Sequence, residues 1–77
     1  MKVAVLFFGV LTEVAGTGTK FYIDVKNLDD LRIRIYDDFP EMTHYNFRVS
    51  VNNEITADNP DLKDGDEIAL LPPFAGG

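Results

Sequence analysis

The sequence predicts a small α+β domain in which one β-sheet packs against a single main helix. Three observations carry this prediction: an entirely apolar run at residues 3–8, an amphipathic pattern at residues 28–39, and a strand-like segment at residues 67–71. Because the chain has 77 residues, we expect one domain over residues 1–77, with residues 72–77 as a flexible tail.

The first half of the chain begins with the apolar run, which fits a central strand and ends at Gly9. Leu11 and Val14 lie three residues apart, as on one face of a short helix of one or two turns. Gly16 suits the C-terminal cap of that helix. Residues 21–25 indicate a half-buried second strand, because apolar residues occupy every other position. These are Phe21, Ile23 and Val25, and Tyr22 and Asp24 lie between them.

Residues 28–39 fit two patterns. Alternating apolar residues in the middle of the segment fit a strand, whereas one stripe spaced by three and four residues fits one face of a helix: Leu28, Leu31, Ile35 and Phe39. Asn27 suits the N-cap, two aspartates follow in the first turn, and Pro40 supplies a stop. These flanking residues favour the helix, and residues 41–46 after it look irregular.

The second half of the chain predicts a hairpin and a final strand. Residues 47–51 alternate between apolar and polar side chains, and the chain then turns at Asn52-Asn53. A short return strand follows around Ile55, and a polar loop with an Asp-Gly turn leads to the last strand at residues 67–71. The predicted sheet is mixed, has four to five strands, and holds its first and last strands in the middle.

The composition limits the classes of partner and chemistry. There are 13 acidic and 7 basic residues, and the resulting net charge of −6 predicts no nucleic-acid partner. The charge is interpreted first as a source of solubility, and a partner with a basic groove is the alternative, with Asp66 or Glu67 as its contacts. The chain has no cysteine, which excludes thiol catalysis and is compatible with the cytoplasmic location that we expect. No apolar run is long enough for a membrane span.

The acidic residues of the last loop do not have the spacing of a calcium loop. We predict solvated turn residues, and no metal site, at Asp58, Asp61, Asp64, Asp66 and Glu67. His44 is the single histidine and has no nucleophile to activate, so it is interpreted as a surface residue.

The last residues combine stiffness with an unobstructed terminus. Pro72 and Pro73 fix φ and donate no N–H, so we expect a stiff, extended stem after the last strand. Gly76 and Gly77 have no Cβ, so a carboxylate on Gly77 fits narrow clefts that side chains would block. This pattern predicts a tail that is inserted into the active site of another protein.

Two segments together with this Gly-Gly end are characteristic of one family. They are Leu-Lys-Asp-Gly-Asp-Glu-Ile-Ala-Leu-Leu-Pro-Pro at residues 62–73 and Phe-Phe-Gly at residues 7–9. The whole chain resembles the MoaD/ThiS family of ubiquitin-like sulfur carriers, which includes the small subunit of molybdopterin synthase. The resemblance implies the β-grasp fold. Phe74 departs from the family pattern, in which a smaller apolar residue is more usual.

The resemblance implies a carrier that is not catalytic alone. In this family an enzyme similar to ubiquitin-activating proteins uses ATP to adenylate the terminal carboxylate, here that of Gly77. A sulfurtransferase supplies sulfur, and the terminus becomes a thiocarboxylate. The tail, including Gly76, then enters the large subunit of molybdopterin synthase, where sulfur passes to a cyclic pterin precursor. The resemblance implies no cofactor bound to the chain itself.

A sheet covered on one side presents half of an apolar central strand away from the core, and exposed apolar patches mark interfaces. We therefore expect alternate residues of the first and last strands, together with the stem and tail, to contact the activating enzyme and the large subunit. The residues chosen are Leu6, Phe8, Leu70, Pro73, Phe74 and Ala75, although the sequence leaves open which alternate set faces outward.

Three other functions stay open at this point. A related sulfur carrier could serve thiazole synthesis, tRNA thiolation or another thio-product. A ubiquitin-like modifier would instead form an isopeptide bond between Gly77 and lysines of target proteins. The third alternative is an interaction domain with an inert tail.

Overall fold

The computed structural model describes residues 1–73, and residues 74–77 lie outside the described part of the chain. Two α-helices and one 3₁₀ helix are present there: α1 (Val10–Ala15), α2 (Leu28–Asp38) and a 3₁₀ helix at Pro40–His44. The strands are β1 (Lys2–Phe7), β2 (Thr19–Ile23), β3 (Arg48–Val51), β4 (Glu54–Thr56) and β5 (Glu67–Leu71).

The five strands form one mixed sheet in the order β2-β1-β5-β3-β4. β1 and β5 run parallel in the middle, and the other neighbouring pairs are antiparallel. The predicted central position of the first and last strands is therefore confirmed. Because β1 and β5 are parallel, their C-terminal ends lie at the same edge of the sheet, where the stem begins.

The helical interpretation of residues 28–39 is confirmed. The side chain of Asn27 caps α2 by accepting a hydrogen bond from the backbone N–H of Asp30 at 2.9 Å. The stripe of leucine and isoleucine side chains on α2 is buried against the sheet. The expectation of an irregular segment at residues 41–46 is wrong in part, because Pro40 begins a 3₁₀ helix that buries Met42.

The core lies between the sheet and α2. It contains Val3, Val5, Phe7, Leu11, Tyr22, Val25, Leu28, Leu31, Ile35, Met42, Val49, Leu62, Ile68 and Leu70. No buried side-chain nitrogen or oxygen of residues 1–73 is left without a hydrogen-bond partner. None of the helices in this part of the chain is long and apolar enough to cross a membrane.

The second strand is present as predicted, but its most buried residue is Tyr22, while Phe21 and Ile23 are exposed. The antiparallel register explains this, because Tyr22 lies opposite the core residue Val3. Val25 is buried again because the strand has ended and the backbone changes direction at Asp24, which has a φ of 57°.

Candidate functional site

The outer face of the sheet, which we define as the side opposite α2, is the candidate site. Residues of β1 alternate across the sheet, so that Leu6 faces outward while Phe7 enters the core. Phe8 follows the strand, is 44% exposed and lines the outer face beside Leu6. The structure therefore places both residues on the face where partners are expected, and their contact with a partner stays a prediction.

Leu70 does not lie on this outer face, contrary to the prediction. Its side chain is 1% exposed and packs in the core, because the parallel register of β5 places Leu70 opposite Phe7. The same register places Ala69 opposite Leu6. Ala69 and Leu71 are therefore the residues that β5 contributes to the outer face, and neither was among the residues predicted from the sequence.

A shallow hollow of about 260 Å³ lies on the outer face, beside the end of β1. Its apolar lining comes from three strands and the residue after β1: Leu6, Phe8, Ile55, Ala69 and Leu71. Ile55 is 58% exposed although it is a large apolar residue. An open apolar hollow with polar residues beside it is typical of a surface that contacts another protein.

The stem begins at the edge of this hollow. β5 ends at Leu71, which also lines the hollow, and Pro72 and the exposed Pro73 follow outside the strand ladder. Any partner that covers the hollow therefore also lies next to the root of the tail. Four residues predicted to act in the tail lie outside the described residues: Phe74, Ala75, Gly76 and Gly77.

Gly9 contacts the root of the stem. A Cβ atom built on Gly9 would lie 2.9 Å from Cγ of Pro72, closer than real Cβ contacts. Gly9 also has a φ of 57° and a ψ of −135°, a conformation that residues with side chains rarely adopt. The Phe-Phe-Gly pattern of residues 7–9 had singled out this glycine without indicating its contact with the stem.

Two charged residues, Arg48 and Glu67, lie close to the apolar hollow. Arg48 lies opposite Leu71 in the β3–β5 register and is exposed. Glu67 lines the hollow and is also exposed, so it remains accessible to the basic groove expected of a partner. At the far end of β1, Nζ of Lys2 lies 4.7 Å from the ring centroid of Phe21.

The carboxylates of the last loop organise its backbone. Asp66 accepts a hydrogen bond from the backbone N–H of Lys63 at 2.8 Å, and Asp64 accepts one from the backbone N–H of Lys2 at 2.8 Å. Within residues 1–73, no group of three or more histidine, aspartate or glutamate side chains is placed to hold a metal ion. The two hydrogen bonds give Asp64 and Asp66 local structural roles in this loop.

A second cluster of titratable groups lies on the α2 side of the sheet. The Tyr22 hydroxyl donates a hydrogen bond to Oδ2 of Asp38 at 2.8 Å, and Nζ of Lys20 lies 2.9 Å from the same oxygen. Hydrogen bonds from Lys20 and then Tyr22 hold the pKa of Asp38 below its usual value. Burial, followed by the bond to Asp38, raises the pKa of Tyr22. This cluster joins β2 to α2 and is not part of the outer face.

Comparison with known sequences identifies the family of the chain. The family model described as ThiS family matches residues 5–77. The molybdopterin synthase sulfur carrier subunit of Chlamydomonas reinhardtii is 32% identical, with 100% of both chains covered. The protein of the same name from Mycobacterium tuberculosis is 33% identical, and the match covers 100% of this chain and 99% of the relative.

Solved structures agree with this placement. Small archaeal modifier protein 1 from Haloferax volcanii has a TM-score of 0.84 and 26% identity, with 100% of each chain covered. A chain in the complex of subunits 1 and 2 of molybdopterin-converting factor from Helicobacter pylori has a TM-score of 0.75 and 32% identity, again with 100% coverage of each chain. The fold is the ubiquitin-like β-grasp, as predicted, and this chain belongs to the ThiS family.

Proposed function

We propose that this protein is the sulfur-carrier small subunit of a molybdopterin synthase and acts in the cytoplasm. The observation that carries the proposal is the end-to-end match to two relatives of that name. The position of the Pro72-Pro73 stem at the edge of an apolar hollow supports it. A carrier must dock on its partner and present its terminus in the same event, and this arrangement suits both tasks.

The proposed chemistry takes place at the carboxylate of Gly77. An activating enzyme joins this carboxylate to the α-phosphate of ATP and releases pyrophosphate, which leaves an acyl-adenylate. A sulfide equivalent, supplied by a sulfurtransferase, displaces AMP and gives a thiocarboxylate. Transfer of the sulfur to a cyclic pterin precursor, with water replacing it on the acyl carbon, restores the carboxylate. Gly76 and Gly77 have no Cβ, so an enzyme can close around the backbone alone.

The proposed partners are a synthase large subunit and an activating enzyme, both of which dock on the outer face. The complex of subunits 1 and 2 from Helicobacter pylori supports the first partner, because one of its chains shares this fold. Leu6, Phe8 and Leu71 supply the apolar contacts in this proposal, and Pro73 continues them toward the tail. Phe74 and Ala75 follow in the sequence and are proposed to contact the walls of the partner's channel that receives the tail.

Expression in cells that lack the small subunit of molybdopterin synthase tests the proposal. The full chain is expected to restore molybdopterin and to copurify with the large subunit, whereas the chain without Gly77 is expected to bind but not restore it. If the chain becomes thiocarboxylated but does not restore molybdopterin, the proposal that it serves molybdopterin synthesis is wrong. This result would instead favour thiazole, thiolated tRNA or another thio-product.

Protein modification is a second candidate function, supported by the likeness to the archaeal modifier protein. In that case the activated Gly77 would form an isopeptide bond with lysines of target proteins. Digestion of cell extracts would then yield Gly-Gly remnants on lysine that depend on this chain. Gly-Gly remnants in the absence of a thiocarboxylated chain would favour the modifier over the carrier. If neither product forms, an interaction domain with an inert tail is the remaining function.

A further inference from the structure

Gly9 and Pro72 form a packed contact at the root of the stem. The three nearest heavy atoms to a Cβ built on Gly9 all belong to the Pro72 ring, with Cγ at 2.9 Å, Cδ at 3.8 Å and Cβ at 3.9 Å. The ring therefore packs directly against the Gly9 backbone. Any side chain at position 9 would occupy the space that the ring fills.

The Gly9 side of this contact is rigid. The backbone N–H of Leu11 donates to the Phe8 carbonyl at 3.1 Å, and that of Thr12 donates to the Gly9 carbonyl at 3.1 Å. The Thr12 hydroxyl bonds the Phe7 carbonyl at 3.1 Å. Leu11 is fully buried, so the corner between β1 and α1 is anchored in the core.

The Pro72 side cannot relieve a collision by a simple rotation. A proline ring is closed onto its own backbone nitrogen, so it moves only with the backbone, apart from small changes in ring pucker. A Cβ at position 9 would therefore displace the stem. A change of direction at Pro72 also changes the direction of the next residue, Pro73, because the φ of both prolines is fixed by their rings.

We propose that Gly9 is a positioning residue that sets, through Pro72, the direction in which the tail leaves the domain. The inference rests on the proposed function, since direction matters only where the terminus must reach a reacting group. Docking and direction are separate properties in this arrangement. Leu6, Phe8 and Leu71 provide the docking contacts, whereas the Gly9–Pro72 contact orients the tail.

A double-mutant cycle tests this role with the full chain and its activating enzyme. Gly9→Ala is expected to lower the kcat of adenylation by about tenfold to a hundredfold, as small misplacements of reacting groups do, with an unchanged Kd for the enzyme. In Gly9→Ala/Pro72→Ala the ring is absent, so the kcat should return to that of Pro72→Ala alone. Two fully additive effects would overturn the proposal.

Gly16→Ala controls for the strain of a side chain at positive φ, with the difference that the ψ of Gly16 is 13° and that of Gly9 is −135°. Gly16 has a φ of 72°, but no heavy atom of the described residues other than its chain neighbours lies within 4 Å of its built Cβ. This variant should melt at a lower temperature and retain the wild-type kcat when it is assayed well below its melting temperature. A loss of kcat in Gly16→Ala equal to that in Gly9→Ala would overturn the positioning role.

Pro72→Ala and Pro73→Ala provide a test that does not require the Gly9 variant to fold. Each removes one proline from the stem, but among the described residues the Pro72 ring supplies the contact with Gly9. The expected result is a larger loss of kcat in Pro72→Ala than in Pro73→Ala, and equal losses would contradict the inference. If the wild-type chain is not adenylated at all, the proposed function fails instead.

Discussion

The side-chain amide of Asn52 donates a hydrogen bond of 2.9 Å to Oδ1 of Asp66, which ties the β3–β4 hairpin to the turn before β5. The amide carbonyl of Asn52 also accepts a hydrogen bond from the backbone N–H of Glu67 at 2.9 Å. One side chain thus satisfies two groups at the start of the central strand that leads to the stem.

Asn52→Ala is predicted to lower the free energy of unfolding by about 1–3 kcal/mol, because it removes both hydrogen bonds and places alanine at positive φ. Urea denaturation measures the loss. Asn53→Ala is the matched control, since Asn53 also has a positive φ, 73°, but forms no side-chain hydrogen bond within residues 1–73. Equal losses in the two variants would show that backbone strain, rather than the Asn52 amide, is responsible.

Leu70 and Leu71 are predicted to have opposite roles although they are adjacent. Leu70→Ala should lower the free energy of unfolding by about 2–5 kcal/mol, because it leaves a cavity in the core. Leu71→Ala should cost about 1 kcal/mol or less but weaken binding of the synthase large subunit about tenfold. Urea denaturation and calorimetric titration measure the two effects. Similar stability losses with no change in binding would contradict the assignment of the outer face.

Lys20→Ala and Tyr22→Phe are predicted to raise the pKa of Asp38, because each removes a hydrogen bond to its carboxylate. The larger rise is expected for Lys20→Ala, since Lys20 is the main cause of the lowered pKa. NMR titration of the Asp38 carboxyl carbon measures both shifts. Tyr45→Phe serves as the control and should leave this pKa unchanged, because Tyr45 is exposed and does not contact Asp38 in the described hydrogen-bond network.

The same network makes stability depend on pH. The pKa of Asp38 is lower in the folded state than its usual value near 3.8. The ionised carboxylate therefore stabilises the folded state at pH values above about 3.8. The contribution is lost as the pH falls through the folded-state pKa. The stability difference between wild type and Tyr22→Phe should therefore be constant near neutral pH and shrink as the pH falls below about 3.8. A difference that grows on acidification would show that the carboxylate does not support the fold.

Local sequence signals were sufficient for several elements. Asn27 and the apolar stripe after it predicted α2, because capping and helical spacing act within one segment. Asn52 and Asn53 predicted the hairpin, since both adopt the positive φ that a two-residue turn requires. Such features depend on neighbouring residues alone, which is why the sequence revealed them.

The sequence could not predict which side chains of β5 face the core, because residues 68–71 are all apolar and show no alternation. The parallel register with β1 decides it, and that register depends on residues more than sixty positions apart. The burial of Tyr22 likewise depends on the β1–β2 register, which places it opposite Val3, and Asp38 at the end of α2 accepts the hydrogen bond of its hydroxyl. The contact between Gly9 and Pro72 is also long-range, so the sequence pattern identified the glycine but not its neighbour.

The most direct test of the carrier function is the intact mass of the full chain after incubation with ATP, the activating enzyme and a sulfur donor. The expected result is a mass change equal to the replacement of one oxygen by sulfur, located at Gly77 and absent when Gly77 is deleted. An unchanged mass would contradict the carrier function, provided that the chain is folded and that the enzyme binds it and adenylates its own known substrate.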